Sequence, residues 1–476
     1  MNFLNTFWYN TSGASSFETK WRTSANNQSI TLPYESSGTY SGTIDWGDGT
    51  VVANTYANRT HTYATGADYN VIIDGECSKW NFQAVNTSRL KIIEVLGWGT
   101  YSFETCKFTN CKDFIGGPVC RDLINLSPSA ALSFQSCSKL TTIQNIEFWD
   151  ISNLTNTSFM FQGCRQFTGD LSNWDMSNVT NAFFMFTTAT DFNSDLSSWD
   201  TSSITNFTYM FANAESFNSD INFDLTSATN NAYGIFNGCI SFNGDVSGMD
   251  TSTLTSMSHM FNNCTSLNNN SMMGWDVSNV EDMTNMFASC SSFDQDFTTW
   301  DTSNVGTMFR MFSNAKVFNS TVSVFDTSDV RNMTSMFQGA DLFNQPIGNW
   351  DVSKVTKMEQ MFFQAQAFNQ DISSWDVSKV HNFKGMFNGA FDFDKPLSNW
   401  DIVSLNSLTM EDFMVNKTFN DYSANNYDVL LSRCENGGLS NITLDMGTIK
   451  YTVSGQQRKN YLVNTKGWTI SDGGLV

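Results

Sequence analysis

Eleven aspartates, Asp150, Asp175, Asp200, Asp224, Asp250, Asp276, Asp301, Asp326, Asp351, Asp376 and Asp401, recur every 25 residues with three slips of one. A partial second row follows at Asp170, Asp195, Asp220, Asp245, Asp296 and Asp371. Carboxylates in rows could hold hard cations or, in a matched pair, cleave glycosidic bonds. A catalytic pair would be confined to one or two repeats, whereas these aspartates recur in nearly all, and repetition argues for a scaffold. Other chemistries lack their signatures: the chain has no GxSxG, HExxH, Walker or GxGxxG phrase, three His and no CxxC pair, which argues against a zinc site. In parallel strands about 4.8 Å apart, neighbouring carboxylates would repel by roughly 1 kcal/mol in water. Backbone or Ser/Thr hydrogen bonds at the turn, each Asp acting as a cap, are the expected offset. The alternative is a row of cations, calcium among them, along Asp301, Asp326, Asp351 and Asp376. The candidate binding face is the ladder Asp175, Asp200, Asp276, Asp301, Asp351 and Asp376.

The elements that must position this ladder are repeats. An aromatic residue precedes most of the aspartates, as at Trp149, Trp174, Trp199, Phe223, Trp275, Trp300, Phe325, Trp350, Trp375 and Trp400, with Met249 standing in once. A unit this short cannot bury its apolar face alone, so the expectation is a solenoid. In the unit opening near Ile347, the spacing of Ile347, Trp350 and Val352 reads as a short strand with Asp351 and Ser353 outward. Val355, Met358, Met361, Phe362 and Ala365 then read as one helical stripe. The predicted fold class is therefore an α/β repeat solenoid, leucine-rich-repeat-like, with a short parallel strand plus a short helix per rung; an all-β rung is the rival. The recurring Met-Phe pairs are read as core rather than cofactor contacts. Cys106, Cys137, Cys164, Cys239, Cys264 and Cys290 share a column with Ala214, Ala315, Ala340, Ala365 and Ala390, which makes it a packing site for buried free thiols. Cys77, Cys111, Cys120 and Cys434 fall outside that column and could pair.

Composition bounds the partners. With a net charge of −21 and pI near 4.3, the chain repels nucleic acid and anionic membrane and favours cationic partners and divalent cations. No apolar run approaches the length of a membrane span. The start, MNFLNTFWYNTSGASS, shows no export-signal features. That leads to the expectation of a product assembled inside the cell and released later, a virion component, with a bacterial cell surface as the alternative. The expected organisation is an N-terminal extension 1–17, a small β-sandwich 18–80, degenerate repeats 81–148 built on Phe103-x-x-Cys106 and Phe134-x-x-Cys137, eleven 25-residue repeats over 149–424, and a C-terminal cap 425–476 with strands near Ile442 and Trp468. A helix over Ser454–Asn464 would present Arg458 and Lys459 outward as the cap's polar face.

The wording Trp46-Gly-Asp-Gly-Thr50, then His61-Thr-Tyr63, then Gly66, Tyr69 and Val71 resembles polycystic-kidney-disease-type immunoglobulin-like domains. Asp45 and Asp48 there suit Asx turns better than a calcium loop. Together with the 25-residue units and the ending KGWTISDGGLV, residues 18–476 resemble the BspA-like surface proteins, a leucine-rich-repeat-related family. The resemblance implies adhesion or surface recognition and carries over no catalytic residue. The functional expectation is thus a non-catalytic recognition protein displayed on a virion. Its partners would be a host-surface protein or glycan, with a virion or envelope partner docked through the N-terminal region. It would make no nucleic-acid contact and no direct membrane insertion; self-association is left open. A bacterial adhesin, a structural virion spacer and a polysaccharide-degrading enzyme are the alternatives.

Overall fold

Strand alternation organises the first part of the chain, and stacked turns organise most of the rest. The computed structural model describes residues 16–83, 88–99, 102–117, 125–126, 129–144, 146–228, 232–402, 407–418, 420–436 and 438–476. Cys120 and nearly all of the 1–17 extension lie outside these residues. Two compact units divide the chain: Met1–Asn181 with Met185–Ser194, and Ala182–Phe184 with Asp195–Val476.

In the first unit, β1 (Phe17–Arg22), β2 (Gln28–Thr31), β3 (Tyr40–Asp45), β4 (Val51–Ala53), β5 (Thr60–Tyr63), β6 (Asp68–Cys77), β7 (Lys79–Asn81) and β8 (Ile92–Gly97) follow one another. An antiparallel sheet runs β4-β3-β6-β1-β8, and β2 pairs separately with β5. The period of two in β1 buries Phe17, Thr19 and Trp21, which face Ile73, Val71 and Tyr69 of β6. Gly42 and Gly75 face each other where β3 crosses β6, both at positive φ; a Cβ on Gly42 would lie 2.0 Å from the Asp74 carbonyl. Beyond the sheet, Phe108, Phe134, Phe161 and Phe186 stack with centroids 5.8, 5.6 and 5.7 Å apart. Layering therefore starts at Phe108-x-x-Cys111, not at Phe103-x-x-Cys106. Cys106 instead lies in a strand paired in parallel with β7.

The second unit continues the same plan. Rings from Phe211 through Phe236, Phe261, Phe287, Phe312, Phe337 and Phe362 to Phe387 stack 5.5–5.9 Å apart, with Met260, Met286, Met311, Met336 and Met361 fully buried beside them.

The strand-plus-helix solenoid expected from the sequence is not formed. The regular structure is mainly β in small sheets, and the two α-helices among the described residues lie at the C-terminal end. Trp350 and Val352 are buried and Asp351 is exposed, as alternation requires, but no strand ladder forms there. Single parallel bridges run instead through Asp282, Thr307, Asn332, Lys357 and Asn382, inside the stretch read as helix.

The stripe misled because it is compatible with a helix. At about 100° per residue, Val355, Met358, Met361, Phe362 and Ala365 fall within an arc of about 120°, one ordinary helix face, so the spacing could not exclude a helix and the backbone decides. Gln360 and Gln364 sit at φ 55° and 57°, a left-handed conformation that no α-helix admits. The N–H groups of Gln360, Phe362 and Gln364 donate to the carbonyls of Lys384, Met386 and Asn388 at 2.8–3.0 Å, while Met361, Phe363 and Ala365 close turns of three. Alternate N–H groups thus serve the next layer, and a helix would have kept them all within its own segment.

At the C-terminal end, α1 (Ala424–Glu435) buries Tyr427, Leu430, Leu431 and Cys434, and α2 (Val453–Lys466) is capped by Thr452, whose hydroxyl accepts from the Ser454 N–H at 3.2 Å. Thr443–Asp445 and Thr469–Ser471 pair in parallel. Arg458 and Lys459 do not form a free outer face. Arg458 donates to the Asp428 carbonyl at 2.9 Å, and Lys459 meets the buried Asp472 carboxylate at 2.7 Å. Among the described residues, no helix is long and apolar enough to cross a membrane.

Candidate functional site

Each ladder aspartate sits directly after a buried aromatic residue, so the chain must turn outward there. It does so by an Asx turn. Asp175, Asp200, Asp276, Asp301, Asp351 and Asp376 accept the N–H of Ser177, Ser202, Ser278, Ser303, Ser353 and Ser378 at 2.9–3.1 Å. Asp150, Asp224, Asp250 and Asp326 do the same with the residue two positions on. All are exposed except the half-buried Asp224. Hydroxyl and N–H donation from Ser202, Ser303 and Ser378 holds Asp200, Asp301 and Asp376 below the usual carboxylate range, and for Asp351 the Ser353 N–H leads. A nearby Asp351 charge opposes this weakly at Asp376. The structure thus shows the turn bonds, and among the described residues of these layers no α-helix follows for them to cap.

The second row is less uniform. Asp170, Asp195, Asp245 and Asp371 close Asx turns on Ser172, Ser197, Ser247 and Ser373, whereas Asp220 and Asp296 accept N–H groups from Asp245 and Thr321 of the next layer. Among the described residues, no three His, Cys, Asp or Glu side chains converge as a metal site would require. In the N-terminal sheet, Asp45 and Asp48 accept the N–H groups of Gly47 and Thr50 at 2.9 and 3.0 Å, and His61 Nε2 lies 2.8 Å from Asp48.

A third ladder was missed in the sequence. Side-chain oxygens of Asn218, Asn243, Asn268, Asp294, Asn319, Asn344, Asn369 and Asp394 each accept the backbone N–H one layer on, at 2.6–3.0 Å. Its signal was the Asn or Asp that follows the second Phe or Leu of each unit. Trp indoles add a further tie: those of Trp174, Trp275, Trp350, Trp375 and Trp400 donate to a carbonyl of the preceding layer at 2.8–3.1 Å. The column thiols of Cys137, Cys164, Cys239, Cys264 and Cys290 are free and buried, and each donates to the carbonyl of the previous layer's Phe at 2.9–3.1 Å. Cys77, Cys111 and Cys434 are free and buried as well. One face of the second unit carries half-buried rings in sequence, Phe184, Tyr209, Tyr233 and His259, with centroids 5.2, 5.0 and 4.7 Å apart.

These features define a repeat protein whose core is reused layer by layer and whose exposed side presents the same group at a fixed interval. A family model described as "Mycoplasma protein of unknown function, DUF285" matches residues 129–249, 230–331 and 318–427. Together the matches span more than half of the chain, and the chain belongs to this family, that of the BspA-like surface repeat proteins. No curated protein and no solved structure matches it.

Proposed function

We propose that the chain is a non-catalytic surface recognition protein that meets a host-surface protein or glycan through the exposed side of its layers. The reading is carried by the ladder from Asp175 to Asp376: its carboxylates face solvent, and each is fixed by its own turn. A group repeated from layer to layer suits an extended ligand with its own repeat. Pre-set side chains lose little freedom on binding, which favours affinity. Membership of a surface repeat family supports the same reading.

The test uses the full chain, fluorescently labelled, on intact host cells and on a glycan array. Asp175→Asn, Asp200→Asn, Asp276→Asn, Asp301→Asn, Asp351→Asn and Asp376→Asn together should lower binding about tenfold or more, equivalent to about 1.4 kcal/mol. Equal binding by the variant, or none by the wild type, refutes the reading. Immunogold labelling of particles and of cells distinguishes display on a virion, the first expectation, from display on a bacterial surface.

A further inference from the structure

The first unit contains a cleft of about 610 Å³ lined by Lys112, Ser136, Ser138, Lys139, Arg165 and Gln166. Lys112, Lys139 and Arg165 come from three successive layers, one or two residues beyond the column positions Cys111, Cys137 and Cys164. The Phe rings of those layers are 5.8 and 5.6 Å apart, and three like charges from these successive layers line one cleft. The corresponding positions of later layers hold Thr190-Asp191, Glu215-Ser216, Ile240-Ser241, Thr265-Ser266, Ser291-Ser292, Lys316-Val317, Asp341-Leu342, Gln366-Ala367 and Phe391-Asp392, with Lys316 the single cation among them. The concentration is therefore not a product of the repeat. It stands out in a chain of net charge −21.

Lys139 is paired with Asp113 at 2.6 Å. Among the described residues, Lys112 and Arg165 pair with no carboxylate, although Asp191 lies one layer beyond Arg165 and donates its N–H to the Arg165 carbonyl. Like charges only partly offset by carboxylates raise one another's energy, and a bound anion reverses the sign of that interaction. The guanidinium can grip an oxyanion with two parallel N–H bonds, and an ammonium adds a point charge beside it. Ser136, Ser138 and Gln166 place hydroxyl and amide groups at the same cleft, suited to a ligand that also carries hydroxyls. The volume lies within the usual range for small-ligand clefts.

We propose that this cleft is a binding site for an acidic sugar, an oligosaccharide bearing carboxylate or sulfate groups. The proposal rests on the recognition reading above and names its ligand class. It assigns that contact to residues of the early layers other than the ladder aspartates.

The full chain is titrated calorimetrically with a heparin-derived sulfated hexasaccharide, with sialyllactose and with neutral lactose. Salt is held at about 150 mM, where charges more than about 8 Å apart are largely screened. At least one charged sugar should bind about tenfold more tightly than lactose, and Lys112→Gln with Arg165→Gln should remove that advantage. Lys316→Gln with Lys354→Gln changes the net charge equally at residues already paired with Asp341 and Asp329, and should alter affinity by less than about twofold. Lys112→Arg with Arg165→Lys keeps both charges and should retain binding even if the neutral pair unfolds. Equal losses in the two Gln pairs, loss in the charge-keeping pair, no preference for charged sugars, or binding of inorganic sulfate alone would each overturn the proposal. If the cleft variants bind cells normally while the Asn ladder variant does not, this inference fails alone; the opposite pattern spares it and removes the ladder.

Discussion

The antiparallel sheet of the first unit and the turn-built layers of the second bury side chains equally well but distribute dependence differently. In the sheet, β1 takes part in two ladders at once, with β6 and with β8, and Phe17 also meets Trp80, Trp98 and Phe103. β1 thus relies on partners distant in sequence, and β6 ties it to β3, so the sheet should fail as a whole. In the layers, Phe337 meets Phe312 on one side and Phe362 on the other, and its N–H donates to the Met361 carbonyl. Each layer relies on its two neighbours. Stability there is close to a sum of unit and nearest-neighbour terms, so a defect should stay local.

The largest expected effect tests that difference directly. Trp21→Ala and Phe337→Ala each remove a fully buried ring and should each cost about 3–5 kcal/mol. Hydrogen exchange should show the sheet losing protection throughout in the first variant. In the second, loss should centre on residues 305–370 and fade outward. Even loss across the whole second unit after Phe337→Ala would break the comparison.

How much of this was legible follows from what each pattern constrains. The 25-residue period, the buried Met and Phe columns and the Asx-turn aspartates could be read directly, because side-chain identity reports burial and local turns. The conformation of the layer was not read. Val355, Met358 and Met361 suit a helical stripe and a run of three-residue turns alike, and at the left-handed Gln360 the equivalent places hold residues as varied as Gly234, His259 and Arg310. The left-handed Gln364 did leave a signal that was passed over, because its place is filled in most layers by Gly163, Asn213, Gly238, Asn263, Asn314, Gly339 and Gly389, residues that favour positive φ. α1 was missed although Tyr427, Leu430, Leu431 and Cys434 hold true helical spacing. The cations of the early cleft were overlooked because the first layers were aligned on Cys106 instead of Cys111.

The next effect separates the two kinds of polar tie. Asn344 accepts the Asn369 N–H at 2.8 Å and the Gln370 amide at 2.8 Å. Asn344→Ala leaves the Asn369 N–H without its partner, while the Gln370 amide keeps the Asn344 carbonyl at 2.7 Å, and should cost about 1–3 kcal/mol in chemical denaturation. Asn344→Asp should cost less, because Asp294 and Asp394 already fill the same role. Equal losses would mean that the ladder acts by packing alone. Smaller again is Trp350→Phe, which keeps most of the ring and removes the bond to the Val322 carbonyl at 3.1 Å. A loss of about 1 kcal/mol is expected, and Phe325 shows that the place accepts the substitute.

The smallest effect concerns the exposed aspartates, and only its pH dependence is diagnostic. Hydrogen bonds from Ser303 and Ser353 depress the pKa of Asp301 and Asp351 in the folded chain. A depressed carboxylate contributes stability that is fully present above its unfolded value, about 3.9, and is lost as pH falls through the folded value. Asn cannot titrate yet still offers an oxygen to the turn. Asp301→Asn with Asp351→Asn should therefore flatten the decline in denaturation midpoint between about pH 5 and about pH 2. At neutral pH the same change also relieves repulsion in a strongly acidic chain, so the midpoint there can move either way. Both residues face solvent, so each contributes well under about 1 kcal/mol. Chelation separates this account from a row of cations. If the serine bonds alone hold the ladder, EDTA leaves the midpoint unchanged, whereas a fall of several degrees, abolished by Asp301→Asn with Asp351→Asn, would assign the stabilisation to bound ions.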